Sequence, residues 1–115
     1  MPHQSLAAQR EQYVRDLHET LEHIVATLSQ KPEVHRILLF GSYARGRRDL
    51  FTDLDLIVIM DSSLDFLTRT GQLYRELHTP VDMDLFVYTP DEFERIKHRG
   101  FIKQALREGK VLYEK

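Results

Sequence analysis

Five apolar residues in unbroken succession, Leu56-Ile57-Val58-Ile59-Met60, follow directly on two carboxylates, Asp53 and Asp55. No other stretch constrains the fold as strongly. A short, β-branched run with no polar alternation reads as a buried strand, so Asp53 to Met60 forms one strand with its acids at the rim of a sheet. Val34 to Phe40 reads the same way and is closed by Gly41. Val81 to Tyr88 is a third strand, with Asp82, Asp84 and Phe86 on one face and Val81, Met83, Leu85 and Val87 on the other. Val111 to Tyr113 is a short last strand.

The segments between read as helices. Val14, Leu17, Leu21, Ile24, Val25 and Leu28 form one stripe of a helix from about Ser5 to Ser29, ended by Pro32. Residues 1 to 4 read as a loose end. Ser42 to Arg45 opens a short helical turn before the polar loop Gly46 to Thr52. Leu64, Leu67, Leu73, Tyr74 and Leu77 mark a further helix, weakened at Gly71 and stopped by Pro80. Thr89-Pro90-Asp91-Glu92 combines an N-cap, a proline at the first helical position and a capping-box glutamate. The helix it starts carries Phe93 and Ile96 and, past a break at Gly100, Ile102, Ala105 and Leu106, with Gly109 as its stop. This alternation predicts an α/β (α+β) fold, a small mixed sheet of about four strands with helices mainly on one face. At 115 residues, the chain 1–115 reads as a single domain.

Composition narrows the function. A hydrophobic share of 42% with 30% charged residues is that of a globule rather than a disordered chain. No apolar run approaches the roughly 20 residues a membrane span needs. The first residues lack a signal peptide's apolar segment, which leads to an expected cytoplasmic location. With no cysteine, disulfides and thiolate ligands are excluded, and any metal must be held by oxygen or imidazole. A net charge of −2 argues against strong direct nucleic-acid binding and is compatible with a small anion held by local arginine and a metal.

Carboxylates at i and i+2 of a strand project from one face about 7 Å apart. Asp53 and Asp55 can therefore converge on a hard cation. Magnesium takes one or two carboxylates and fills its shell with water and substrate phosphates, so the pair is an incomplete site awaiting a phosphate ligand. Gly41-Ser42, at a strand-to-helix turn, supplies close backbone approach and a hydroxyl suited to phosphate. A third carboxylate is available from Val81 to Tyr88. Asp84 is preferred because a longer apolar run follows it; Asp82 lies on the same face, and spacing alone does not separate them. Arg45, Arg47 and Arg48 lie within reach of the phosphates of a bound nucleotide, with Arg45 ranked first. His18 and His23 stand one residue too far apart for a helical metal pair and read as surface residues.

Gly41-Ser42, then ten residues, then Asp53-x-Asp55 resembles the signature of the DNA polymerase beta-type nucleotidyltransferase superfamily. The stretch Gly41-Ser42-Tyr43-Ala44-Arg45-Gly46, the strand Asp84 to Pro90 and the ending Gly109 to Glu114 resemble its minimal, MntA-like branch. The resemblance implies transfer of AMP from ATP to a hydroxyl with two magnesium ions. Asp53, Asp55 and Asp84 would hold the metal, and Gly41, Ser42 and Arg45 the nucleotide. It also implies an antitoxin that modifies a tyrosine of a HEPN-domain (HepT-like) toxin. Two alternatives stand beside it: an antitoxin that neutralises its partner by binding alone, and transfer to a small molecule or an RNA end. Thr52 stands where the family often has serine, and Phe51 makes the loop bulkier than an open phosphate loop would be.

Overall fold

In a computed structural model describing residues 4–115, Val34–Phe40 (β1), Leu54–Met60 (β2), Met83–Tyr88 (β3) and Lys110–Glu114 (β4) form one sheet in the order β3-β2-β1-β4. Residues 1–3, most of the expected loose end, lie outside the described residues. β1 runs antiparallel to both β2 and β4, whereas β2 and β3 are parallel. The helices are Leu6–Ser29 (α1), Gly41–Ala44 (α2), Phe66–Leu77 (α3), Pro90–Ile96 (α4) and Gly100–Glu108 (α5). None of them is long and apolar enough to cross a membrane.

The continuous apolar run is explained by burial of β2 on both faces. Leu54, Leu56, Val58 and Met60 join Leu17, Ile24 and Leu28 of α1 and Leu73 and Leu77 of α3 in one cluster. Ile57 and Ile59, with Leu38 of β1, pack on the other face against Phe93 of α4 and Ile102 and Ala105 of α5. Fully burying one such aliphatic side chain contributes roughly 1.5–3 kcal/mol, so core packing rather than local propensity holds β2 in place. The expectation of helices mainly on one face holds for the two longest, α1 and α3. The opposite face is covered too, by Phe93 of α4 and, past the break at Gly100 (φ +51), by Ile102 and Ala105 of α5.

Other differences are local. The Asp65 carboxylate caps α3 by accepting the Thr68 N–H (2.8 Å), which leaves Leu64 outside the helix and Leu67 80% exposed. Arg69 takes an inward position of that helix and is buried. Its guanidinium donates to the carbonyls of Val87 and Leu64 (3.1 Å each) and to the Glu92 carboxylate. α3 ends at His78, which adopts a left-handed conformation before Pro80 is reached. The capping box forms: Glu92 N–H donates to Thr89 Oγ1 (3.3 Å), and the Glu92 carboxylate accepts the Thr89 N–H (2.9 Å). β3 starts at Met83, so Asp82 precedes the strand instead of lying within it.

Candidate active site

Because Leu54 and Leu56 point into the α1/α3 cluster, Asp55 must face the other side of the sheet, toward α4 and α5. Asp53 stands just before the strand. The parallel register sets Asp55 directly beside Asp84. Asp55 is half-buried, and its pKa rises from 3.8 to about 6. Burial contributes most, followed by the charges of Asp84 and Asp53 and a hydrogen bond shared with Asp84; Arg45 pulls the other way. Three acids are thus electrostatically coupled. Asp82, which sequence could not separate from Asp84, is drawn into a different role through its backbone: its carbonyl accepts the Leu54 N–H (3.0 Å).

Gly41 is the residue that permits this packing. Its φ is +76, in the region that favours glycine, and a Cβ added there would lie 2.0 Å from Asp55 Oδ2. Phe40, one residue earlier, is the β1 partner of Asp55. The glycine of the strand-to-helix turn and the second carboxylate of the Asp-x-Asp pair, fourteen positions apart in sequence, are therefore in direct contact. Ser42 follows in the single turn of α2, which the buried ring of Tyr43 anchors to the core.

The loop from Gly46 to Thr52 is organised by Asp49. Its carboxylate accepts the Phe51 N–H (2.9 Å), the Thr52 hydroxyl (3.1 Å) and Arg47 Nε (2.8 Å), while the fully buried Thr52 hydroxyl accepts the Asp49 N–H (3.0 Å). The Thr52 hydroxyl has a structural task here. Arg48 lies flat on the Tyr43 ring, 3.5 Å from its centroid, and donates to the Tyr43 carbonyl (2.8 Å). Arg47 and Arg48 are thereby committed to the loop. Arg45 remains exposed, with a loose 3.8 Å contact to Glu108, and is close enough to Asp55 to favour its ionised form. Phe51 turns outward, 79% exposed, and does not obstruct the turn.

Sequence reading missed Tyr13. Its hydroxyl donates to the Thr52 carbonyl (2.9 Å) and accepts the Asp82 N–H (3.3 Å), so one α1 side chain ties the entry of β2 to the entry of β3. Burial, then the neighbouring Asp82 and Asp53 charges, raise its pKa, against the lowering effect of the Asp82 N–H. The one available signal was its place one turn before Leu17 on the buried stripe.

Among the described residues, no three acidic or imidazole groups close into a ready metal cage. The donors present nonetheless fit a hard cation. Asp53, Asp55 and Asp84 all offer oxygen donors, and the repulsion that adds to burial in raising Asp55 is what a divalent ion between them would relieve.

The model of the family described as "Polymerase beta, Nucleotidyltransferase" matches residues 22–115. A candidate protein adenylyltransferase of Methanocaldococcus jannaschii is 30% identical over 80 residues, covering 70% of this chain and 79% of the relative. The candidate protein adenylyltransferase MntA of Haemophilus influenzae is 28% identical over 88 residues, covering 73% and 77%. In fold, the chain is similar to a candidate nucleotidyltransferase from Sulfolobus solfataricus, with a TM-score of 0.56 at 16% identity over 99% of this chain and 91% of the other. It is also similar to a chain of a mutant MntA–HepT toxin–antitoxin structure, with a TM-score of 0.51 at 22% identity over 85% and 72%. The chain belongs to the polymerase beta-type nucleotidyltransferase family in its minimal, MntA-like form and is a nucleotidyltransferase.

Proposed function

We propose that the chain transfers AMP from ATP to a tyrosine hydroxyl of a HEPN-domain, HepT-like partner and acts as the antitoxin of that pair. The observation that carries the chemistry is the register of Asp55 against Asp84 with Gly41 packed on Asp55. The names of the two adenylyltransferase relatives support AMP as the group moved, and the MntA–HepT structure supports the class of partner. A cytoplasmic location, where ATP is supplied, belongs to the same reading.

The chain's own residues divide the work. Gly41 and Ser42 receive the phosphates at the turn, and Arg45 offers a positive charge from the exposed side. Asp53, Asp55 and Asp84 would hold magnesium, which supplies charge stabilisation for the attacking and leaving oxygens when bound. Asp55 is largely ionised at neutral pH even without a metal. In this reading Asp84, on the edge strand, takes the proton of the acceptor hydroxyl as the hydroxyl oxygen attacks the α-phosphorus; the edge position of β3 supports it. The P–O bond to pyrophosphate breaks as the new one forms.

Incubating the chain with ATP, magnesium and a HepT-like HEPN-domain protein should add AMP to a partner tyrosine, detected by intact and tandem mass spectrometry. Asp53→Asn and Asp55→Asn should each abolish the gain. Transfer persisting in the double variant would sink the assignment.

A further inference from the structure

Phe51 is the part of the active-site loop that nucleotide binding leaves unused. Its ring is 79% exposed, and with Leu50 it forms one wall of a groove of about 590 Å³ whose other wall is Leu6, Ala7 and Arg10 of α1. Leu6 is itself 74% exposed. The loop holds the ring in place, since the Asp49 carboxylate accepts the Phe51 N–H (2.9 Å) and the Thr52 hydroxyl (3.1 Å). None of Gly41, Ser42 and Arg45 lines this groove. Two features tie it to the acids all the same. Phe51 precedes Asp53 by two residues, which keeps their Cα atoms within about 7 Å. Along α1, Leu6, Arg10 and Tyr13 stand at i, i+4 and i+7 on one stripe. Tyr13, at the end of that stripe, is bonded to the Thr52 carbonyl and the Asp82 N–H, so the groove wall leads to the strand entries that carry Asp53 and Asp84.

We propose that this groove is the docking surface for the acceptor protein, with Phe51 as its anchor. The proposal rests on the AMP-transfer reading and adds to it where the protein substrate sits. A protein that brings a tyrosine to the acids must cover the surface around them. The Gly41–Arg45 side is given to the nucleotide, and the rim beyond β3, with His78, Thr79 and Asp82, is polar. The α1 side is the one that offers apolar area. A projecting aromatic ring on an apolar floor suits a protein interface, where such rings act as anchors, whereas small-molecule sites are concave. Charge narrows the occupant further. Asp49 spends its carboxylate on Arg47, the Phe51 N–H and the Thr52 hydroxyl, so Arg10 sets the sign of the groove. The partner surface that fits is apolar, with a carboxylate opposite Arg10.

AMP transfer to a HepT-like HEPN-domain protein should be followed over a range of partner concentrations, with partner binding and ATP binding measured separately by calorimetry on the full chain. Phe51→Asp is expected to raise the KM for the partner, and to weaken its binding, by about tenfold or more, with kcat and ATP affinity kept. Arg10→Glu should raise that KM as well, and Phe51→Trp should hold it near the wild-type value. Leu67→Asp, at a leucine of α3 as exposed as Phe51, should leave it unchanged. A wild-type KM in Phe51→Asp, a parallel loss of ATP affinity, or an equal loss in Leu67→Asp overturns the docking surface and leaves the transfer reading intact. A chain that binds the partner through Phe51 yet transfers no AMP overturns the transfer reading alone. A chain that neither binds nor modifies the partner overturns both.

Discussion

Replacing Asp55 by asparagine should make the metal-free protein more stable while removing its activity. The carboxyl has a pKa of 3.8 in an ordinary setting and about 6 here, because burial and the charges of Asp84 and Asp53 oppose ionisation. Roughly two decades of proton affinity correspond to ~3 kcal/mol at 1.36 kcal/mol per decade; solvent access to the half-buried group brings the expected value to about 2–3 kcal/mol. The sign follows from linkage. A folded-state pKa above the unfolded one means that the native state holds the extra proton between pH 3.8 and about 6, so stability falls as pH rises through that window and the full penalty is present above it. Asparagine carries no charge and can still donate to Asp84. Urea denaturation with a chelator present should therefore find Asp55→Asn more stable than wild type by about 2–3 kcal/mol near pH 8, by about half that near pH 5, and by almost nothing near pH 4. Magnesium should narrow the gap at pH 8 by stabilising the wild type alone. A variant equally or less stable at pH 8, or a gap that ignores pH, would refute the electrostatic account of the acid cluster.

Gly41→Ala should eliminate AMP transfer and lower stability by about 1–3 kcal/mol, read from urea midpoints, because the new Cβ meets Asp55 Oδ2 and the backbone is left-handed. Tyr13→Phe removes one donor and one acceptor and should cost about 1–2 kcal/mol. Its AMP-transfer kcat should fall further than the fraction folded explains, since Thr52 and Asp82 lose their common tether. Arg69→Leu strands the Glu92 carboxylate and two carbonyls and should destabilise by about 3–5 kcal/mol in chemical denaturation. It leaves the acids themselves untouched.

The parts of the fold that could be read in advance were those where neighbouring residues carry the signal. Leu56 to Met60 reads as a buried strand, Thr89 to Glu92 as a helix start, and the Gly41-Ser42 and Asp53-x-Asp55 pieces stand at strand ends for local reasons. What escaped depends on registry between distant segments. Asp84 and Asp82 are equivalent by sequence spacing; β2 separates them by pairing Asp55 with one and Leu54 N–H with the carbonyl of the other. Arg69 looks like a surface residue of an amphipathic helix until Glu92 and the Val87 carbonyl arrive from beyond it. Arg47 and Arg48 look like phosphate ligands until Asp49 and Tyr43 engage them. Helical spacing placed Leu67 inward, and the Asp65 cap rotated it out.

β3 is paired on one side only, and it contributes one of the three acids. Asp53 and Asp55 belong to the antiparallel block that also holds β1 and β4, whereas Asp84 arrives on a strand delivered by the α3 crossover. The proposed catalytic centre thus straddles a seam between two parts of the sheet with different means of support. Loosening at that seam should separate the acids before the β1–β2–β4 block yields, so on mild denaturation AMP transfer is expected to fall before secondary structure does.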